Sequence, residues 1–271
     1  MTNNPRIAAV QMVSGSDIAQ NLRDADCLVA EAAARGAQLV VLPEYFPLIS
    51  GDDMDKVRAR EQEGAGPLQD FLRETALRHK VWLVGGSIPM VASVPDKVRN
   101  SCLVFNDAGE RVARYDKIHL FGFQRGTERY NESQTIEHGG DVVAFDSPVG
   151  RVGLSICYDL RFPELYRSMG PVDLIVVPAA FTHTTGQAHW ELLLRARAVE
   201  NLCYVLAAAQ GGKHPSGRMT WGDSMVVEPW GGVLERREDH RVAACADDQR
   251  IVVRQILRHP NRVADPRRGR H

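Results

Sequence analysis

Runs of apolar residues alternate along this chain with segments of helical periodicity. In the first half, the pattern predicts strands and helices at 6–12 (strand), 17–35 (helix), 37–42 (strand), 67–79 (helix) and 81–87 (strand). The run at 37–42, AQLVVL, is typical of a strand that is buried on both faces. The segment 101–115 predicts a hairpin that turns at Asp107-Ala108-Gly109.

The second half repeats this order of elements. It predicts a strand at 151–156, a helix at 163–169, strands at 172–177 and 203–209 around a helix at 187–201, and a hairpin at 223–236. Two matching halves predict two stacked sheets related by a pseudo-twofold axis, with helices outside. The predicted fold class is therefore α/β, a four-layer α-β-β-α sandwich. A single doubly wound sheet is the alternative.

The domain organisation follows from what separates the two halves. Because no Pro-, Gly-, Ser- or charge-rich tract lies between them, residues 1–258 are predicted to form one domain. Residues 259–271 form an arginine-rich tail. We expect this tail to be solvated or to contact another subunit, rather than to bind phosphate, since the basic run is brief and lacks aromatic residues.

Composition narrows the function classes. The 271 residues carry a net charge of −1, which gives no overall attraction to nucleic acid or to a membrane surface. Five cysteines lack CxxC spacing, and the histidines lack metal-ligand spacing, so we expect neither a metal nor a cofactor. The first residues lack the basic and apolar regions of a signal peptide. A reducing cytoplasm is the expected location, where a thiol stays usable.

Cys157 is the first candidate for chemistry. It lies between the predicted strand at 151–156 and a helix that Pro163 can begin. A cysteine at such a corner faces a cleft, with backbone N–H groups beside it that suit an oxyanion. The positive field of the helix start is expected to favour thiolate. The alternative is a buried cysteine that acts as a small hydrophobic side chain.

Glu44 is the second candidate. It directly follows the buried strand 37–42, and ligands of open parallel sheets bind at the carboxyl ends of strands. Desolvation there suits a carboxyl group for acid–base work near neutral pH. The alternative is an ordinary surface glutamate.

Three blocks of sequence resemble the signatures of the carbon–nitrogen hydrolase (nitrilase) superfamily. They are Pro43-Glu44, Asp116-Lys117-Ile118-His119-Leu120, and the run from Ser155 to Glu164, SICYDLRFPE. Further stretches, including AAAQ at 207–210 and SMVVEPWG at 224–231, resemble the Nit branch and, within it, the deaminated glutathione amidases. The segment 121–129, FGFQRGTER, departs from the animal Nit pattern and leaves the substrate open.

The resemblance implies a Glu-Lys-Cys triad of Glu44, Lys117 and Cys157, with Glu132 as a supporting member. It also implies the α-β-β-α sandwich and a homodimer or larger homo-oligomer. The expected reaction is hydrolysis of a small, carboxylate-bearing, non-peptide amide, similar to deaminated glutathione, through a cysteine thioester with release of ammonia. Alternatives are an ω-amidase acting on 2-oxoglutaramate-type amides, a nitrilase, or an interaction protein that retains only the fold.

Four residues are candidates for binding the substrate: Tyr158, Arg161, Phe181 and Thr185. Arg161, four residues past the cysteine, is expected to pair with a substrate carboxylate. The alternative is a structural ion pair with Asp159 or Glu164. A papain-like Cys-His site that uses His119, His183 or His189 is disfavoured.

Overall fold

Two β-sheets, one from each half of the chain, form the framework of this computed structural model, which describes residues 4–126, 128–237 and 250–256. The strands before residue 132 are β1 (Arg6–Gln11), β2 (Leu39–Val41), β3 (Trp82–Val84), β4 (Ile88–Val91), β5 (Val98–Phe105), β6 (Arg111–Asp116), β7 (Gly122–Arg125) and β8 (Glu128–Asn131). Those after it are β9 (Ala144–Ser147), β10 (Gly150–Leu154), β11 (Leu174–Ala179), β12 (Tyr204–Ala209), β13 (Gly211–Lys213), β14 (Met219–Trp221), β15 (Met225–Val227), β16 (Val233–Arg236) and β17 (Arg250–Gln255). The helices are α1 (Ile18–Ala34), α2 (Asp55–Arg58), α3 (Pro67–His79), α4 (Pro163–Ser168) and α5 (His183–Asn201).

The two sheets share one connectivity. In the first, β1, β2 and β3 run parallel, and the hairpin of β5 and β6 joins β3 antiparallel. In the second, β10, β11 and β12 run parallel, and the hairpin of β15 and β16 joins β12 antiparallel. The repeat that the sequence predicts is therefore confirmed strand by strand. Strand β17 adds an antiparallel edge to β1, which the sequence did not predict.

The side chains of β1 show how the layers are built. Ile7 and Ala9 point into a core shared with the second sheet, whereas Ala8 and Val10 pack outward against α1 and α3. All four are fully buried, as a strand covered on both faces requires. On the far side, Trp190 of α5 packs on the second sheet. The four-layer sandwich is confirmed, and the single doubly wound sheet is wrong.

The largest differences from the predicted elements occur near the second sheet. Helix α5 begins at His183, four residues before the predicted start at 187. The sequence His-Thr-Thr-Gly has low helix propensity, and tertiary contacts override it, since Thr185 and Gly186 are buried. The strand predicted at 151–156 ends at Leu154, and a 3₁₀ turn from Cys157 to Arg161 precedes α4.

Two sequence predictions concern the end of the chain, beyond the residues that the structure describes. The tail at 259–271 lies outside the described residues, so its role as a subunit contact stays a prediction, as does the domain boundary at 258. Across the described residues, no helix is both long enough and apolar enough to cross a membrane.

Candidate active site

Cys157 lies at a strained corner of the backbone. It follows β10 by three residues and has φ of 51°, a left-handed conformation that is rare for a residue with a side chain. The Asp159 carboxylate holds this corner, since its Oδ2 accepts a 2.8 Å hydrogen bond from the Ile156 N–H. Cys157 is 6% exposed and lines a pocket with Tyr158, so its sulfur faces a cleft as the sequence predicts.

Glu44 follows β2 and is almost completely buried between the two sheets. Its Oε1 accepts hydrogen bonds from Lys117 Nζ at 2.8 Å and from Asn100 Nδ2 at 2.9 Å. Its Oε2 accepts from the Ala180 N–H at 2.9 Å, beside the hydrogen bond that links the carboxylate to Cys157. The alternative of a surface glutamate is wrong, because Glu44 is 1% exposed.

Lys117 follows β6 and points into the same pocket floor. Its backbone N–H donates to the Asn100 carbonyl, and its own carbonyl accepts from the Gly139 N–H. A side chain at Gly139 would collide with the Asp116 carbonyl, so this close approach requires glycine. The Lys117 side chain is 0% exposed. Its ammonium therefore depends on protein groups for its hydrogen bonds.

Glu132 provides the second carboxylate for that ammonium. Its oxygens lie 3.0 and 2.8 Å from Lys117 Nζ. The Tyr45 hydroxyl and the Phe121 N–H donate to Glu132 at 2.8 and 2.7 Å. The structure thus brings Glu44, Lys117, Glu132 and Cys157 into one hydrogen-bonded cluster.

The ionisation of Cys157 differs from the sequence expectation. Burial, the charge of Glu44 and a hydrogen bond to Glu44 raise the pKa of the Cys157 thiol well above its usual range, although Lys117 opposes this shift. The expectation that a helix start favours thiolate is wrong. Helix α4 begins six residues later, at Pro163, and burial and the charge of Glu44 determine the direction of the shift.

Lys117 and Glu132 both remain charged. Burial lowers the pKa of Lys117, but Glu132 and Glu44 outweigh burial and hold this pKa above its ordinary value. Burial likewise raises the pKa of Glu132, but the charge and hydrogen bonds of Lys117 and the Phe121 N–H bring it below its ordinary value. The resting site therefore combines a neutral thiol with a fixed ammonium.

Comparison with known proteins identifies the family of this chain. The sequence profile of the carbon–nitrogen hydrolase family matches residues 6–245. The chain belongs to the carbon–nitrogen hydrolase family. The crystal structure of Nit3 from Saccharomyces cerevisiae, a member of branch 10 of the nitrilase superfamily, superposes with a TM-score of 0.79 at 30% identity, covering 93% of this chain and 89% of Nit3.

Two relatives support the likeness of this hydrolase to the Nit branch. A deaminated glutathione amidase from Yersinia enterocolitica is 43% identical over 241 residues, covering 87% of this chain and 84% of the relative. The omega-amidase NIT2 of Danio rerio is 40% identical over 246 residues, covering 89% and 87%. The resemblance to the Nit branch that the sequence predicts is confirmed.

The four substrate-binding candidates of this hydrolase gather around Cys157. Tyr158, Phe181 and Thr185 line its pocket. The Arg161 guanidinium lies 5.7 Å from the Tyr158 ring centre and 5.5 Å from that of Phe181, at the edge of the pocket. Their roles in binding stay predictions.

Arg161 makes no ion pair with any side chain of the described residues, and it donates instead to His189 Nδ1 at 3.2 Å. The alternative ion pair with Asp159 is wrong because that carboxylate is occupied elsewhere. Asp159 accepts from the Tyr115 hydroxyl at 2.7 Å and from the His119 N–H at 3.0 Å, and its Oδ1 lies 2.7 Å from His119 Nδ1. His119 therefore supports the corner at Cys157, as a structural hydrogen-bonding residue.

Sequence reasoning missed Asn100, Tyr45 and Asp159, which hold the reactive groups in place. Asn100 is 1% exposed on β5, where Arg99 and Ser101 flank it. A polar residue within a buried strand was the available signal, because a buried polar group needs a partner. Its partner, Glu44, is 56 positions away, and only the folded chain identifies it.

Proposed function

We propose that this carbon–nitrogen hydrolase is an amidase that cleaves a small, carboxylate-bearing amide through a thioester on Cys157. The observation that carries the proposal is the convergence of Cys157, Glu44 and Lys117 at one buried pocket floor. The relatives named deaminated glutathione amidase and omega-amidase support amide hydrolysis as the reaction.

The first step uses Glu44 as the general base. As Cys157 Sγ attacks the amide carbon, the thiol proton passes to the Glu44 carboxylate, and the carbonyl oxygen becomes an oxyanion. The Lys117 ammonium and a backbone N–H at or after Tyr158 stabilise this oxyanion. One such donor typically contributes about 3 kcal/mol in acyl transfer.

The later steps return the same proton. Glu44 gives it to the departing nitrogen as the carbon–nitrogen bond breaks, which leaves the acyl group on Cys157 as a thioester. Glu44 then takes a proton from water, and the resulting hydroxide attacks the thioester carbon. Glu44 gives the proton taken from water to the departing sulfur, and the carboxylic acid product is released.

Glu132 is the supporting member of the proposed triad. By pairing with Lys117 it keeps the ammonium charged, and its bonds from Tyr45 and Phe121 fix the direction of that ammonium. Lys117 could otherwise lose its proton in so buried a place.

The substrate proposed first is a deaminated glutathione-like amide whose acyl chain bears a carboxylate. Arg161 supports this choice, since its guanidinium at the pocket edge has no carboxylate partner among the described side chains. Tyr158, Phe181 and Thr185 would contact the acyl chain. The second candidate is ω-amidase activity on 2-oxoglutaramate-type amides, which the similarity to omega-amidase NIT2 favours.

The proposal is tested by a substrate panel. Ammonia release is measured from short ω-amides, 2-oxo acid amides and the corresponding nitriles, with wild-type protein and Cys157→Ala in parallel. We expect turnover of amides that carry a carboxylate, slower turnover of neutral amides, and none with the variant. Preference for nitriles would favour a nitrilase. No turnover, together with insensitivity to a thiol alkylator, would favour an interaction protein.

We propose that the protein forms a homodimer or a larger homo-oligomer. We also propose that it resides in the cytoplasm. Large apolar side chains on and after α5 are strongly exposed, including Leu192 at 67% and Trp230 at 87%. Apolar surface of this kind supports self-association. Cys27, Cys102, Cys157 and Cys203 are all free thiols, which suits a reducing compartment. Sedimentation of purified protein and cell fractionation test the two proposals.

A further inference from the structure

The turn at residues 44–46 carries two groups of the reactive cluster. Glu44 supplies the carboxylate that is hydrogen-bonded to Cys157, and the Tyr45 hydroxyl donates to Glu132 at 2.8 Å. Tyr45 has φ of 55°, a left-handed conformation that is rare for a residue with a side chain. A strained backbone of this kind persists only where its surroundings hold it in place.

Two buried side chains hold the backbone on either side of Tyr45. Gln210 Nε2 donates to the Glu44 carbonyl at 3.2 Å, and Ser14 Oγ donates to the Phe46 carbonyl at 2.8 Å. Gln210 and Ser14 are both completely buried. The two carbonyls therefore have fixed protein donors in place of bulk water.

Gln210 and Ser14 also hold each other. Gln210 Nε2 donates to Ser14 Oγ at 2.8 Å, and the Ser14 N–H donates to Gln210 Oε1 at 3.1 Å. Both amide hydrogens and the amide oxygen of Gln210 thus have partners, and a reversed amide would bring its oxygen against the Glu44 carbonyl, where two acceptors repel. Ser14 follows β1 and Gln210 follows β12, so the second sheet fixes a turn that belongs to the first.

Ser87, which directly precedes β4, completes this arrangement. Its Oγ accepts from the Tyr45 N–H at 3.0 Å, and the residue is completely buried. The Glu44 carbonyl and the Tyr45 N–H belong to one peptide group, so Gln210 and Ser87 fix both ends of it. Rotation of this peptide group would break buried hydrogen bonds, which costs free energy. It would also displace the Glu44 carboxylate and the Tyr45 hydroxyl together.

We propose that Gln210 is a positioning residue that, with Ser14 and Ser87, holds the Glu44–Tyr45 peptide group in the orientation that the reaction needs. This inference rests on the proposed function and deepens it. Gln210 donates to the backbone of Glu44 and acts on the reaction through the carboxylate of that residue. A displacement of about 1 Å can lower a catalytic rate by about 10²-fold. Loss of the Gln210 amide should therefore slow the chemical steps more than it weakens substrate binding.

The test is Gln210→Met, which keeps the length of the side chain and removes its hydrogen bonds. Ammonia release from a 2-oxoglutaramate-type amide gives kcat and KM, at a temperature where circular dichroism shows that the variant is folded. We expect kcat to fall between about tenfold and about 10²-fold, with KM nearly unchanged.

Gln69→Met is the matched control. Gln69 is also buried, and its Nε2 donates to the carbonyls of Gln62 and Ala65 at 2.7 and 2.9 Å, at the start of α3. The same substitution therefore removes similar hydrogen bonds at a place that carries no reactive group. We expect Gln69→Met to lower the melting temperature and to keep the wild-type kcat.

Ser14→Ala is a milder variant, which tests the inference even if Gln210→Met does not fold. It removes one hydroxyl group, the partner of the Phe46 carbonyl and of one Gln210 hydrogen, so we expect a smaller fall in kcat with KM again nearly unchanged. A wild-type kcat in folded Gln210→Met or Ser14→Ala, or an equal fall in kcat in Gln69→Met, would overturn the inference. Failure of wild-type protein to cleave any amide of the panel would instead overturn the proposed function.

Discussion

Lys117 Nζ lies 2.8 Å from Glu44 Oε1, although 73 positions separate the two residues along the chain. Both atoms are out of contact with water, and Glu132 and Asn100 complete their coordination. A buried ammonium between two carboxylates is held in one direction, and it lies near enough to Cys157 for the two groups to interact electrostatically.

Cys157→Ala should abolish activity and leave the fold intact. The thioester cannot form without the sulfur, so we expect kcat to fall by about 10⁴-fold or more. Circular dichroism should be unchanged, because the methyl group of alanine fits the space of the thiol. Cys27→Ala is the control, since Cys27 is free and exposed. A Cys157→Ala protein that retains a tenth of the wild-type rate would contradict the assigned nucleophile.

Lys117→Met should abolish activity and also lower stability, in a pH-dependent way. The variant leaves Glu44 and Glu132 buried without a cation, and breaking a buried ion pair costs about 3–5 kcal/mol. Protonation relieves buried negative charge, so this loss in the free energy of unfolding should shrink as the pH falls from neutral toward about 5. Urea denaturation at several pH values measures it, with Lys213→Met, an exposed position, as the control.

In the wild-type protein, the contribution of this cluster to stability should be lost at both high and low pH. The pKa of Lys117 is raised, so its contribution to stability is present below its unfolded pKa of about 10.4 and is lost at higher pH. The pKa of Glu132 is lowered, so its contribution is present above about 4.3 and is lost as the pH falls further. A Lys117→Met protein as stable as wild type at neutral pH would show that the pair contributes nothing.

Glu44→Gln should lower the pKa of the Cys157 thiol. Burial still raises this pKa in the variant, but the charge of Glu44 and its hydrogen bond no longer contribute. Thiolate absorbance in the ultraviolet should therefore develop at lower pH than in wild type, after subtraction of the Cys157→Ala signal. Cys203 does not interfere, since burial raises its pKa to about 12. A thiol that ionises at the same or higher pH in Glu44→Gln would contradict the contact.

Asn100→Ala should lower kcat/KM about tenfold or more, because a hydrogen bond to a charged group contributes about 1.5–3 kcal/mol. Asn100 acts through Glu44, so we expect kcat to fall while KM changes little. Asn106→Ala is the control, since Asn106 lies in an exposed turn. An unchanged kcat in Asn100→Ala would reduce Asn100 to a packing role.

The sequence by itself determined the architecture and the backbone corner at Cys157, the proposed nucleophile. The alternation of β1 side chains between two cores and the matched order of elements follow from local patterns, because alternation of side chains is a property of each strand. The corner at Cys157 was likewise local, since a strand, a short turn and Pro163 lie within one segment. For Lys117 and Glu132, only the resemblance to a family pointed to a role.

The tertiary structure decided which polar groups meet and which charges they keep. Asn100 reaches Glu44 only because β5 and β2 share one sheet, on either side of β3. The direction of the Cys157 pKa shift was decided in the same way. Desolvation and the charge of a residue more than a hundred positions away depend on packing, which no local pattern records.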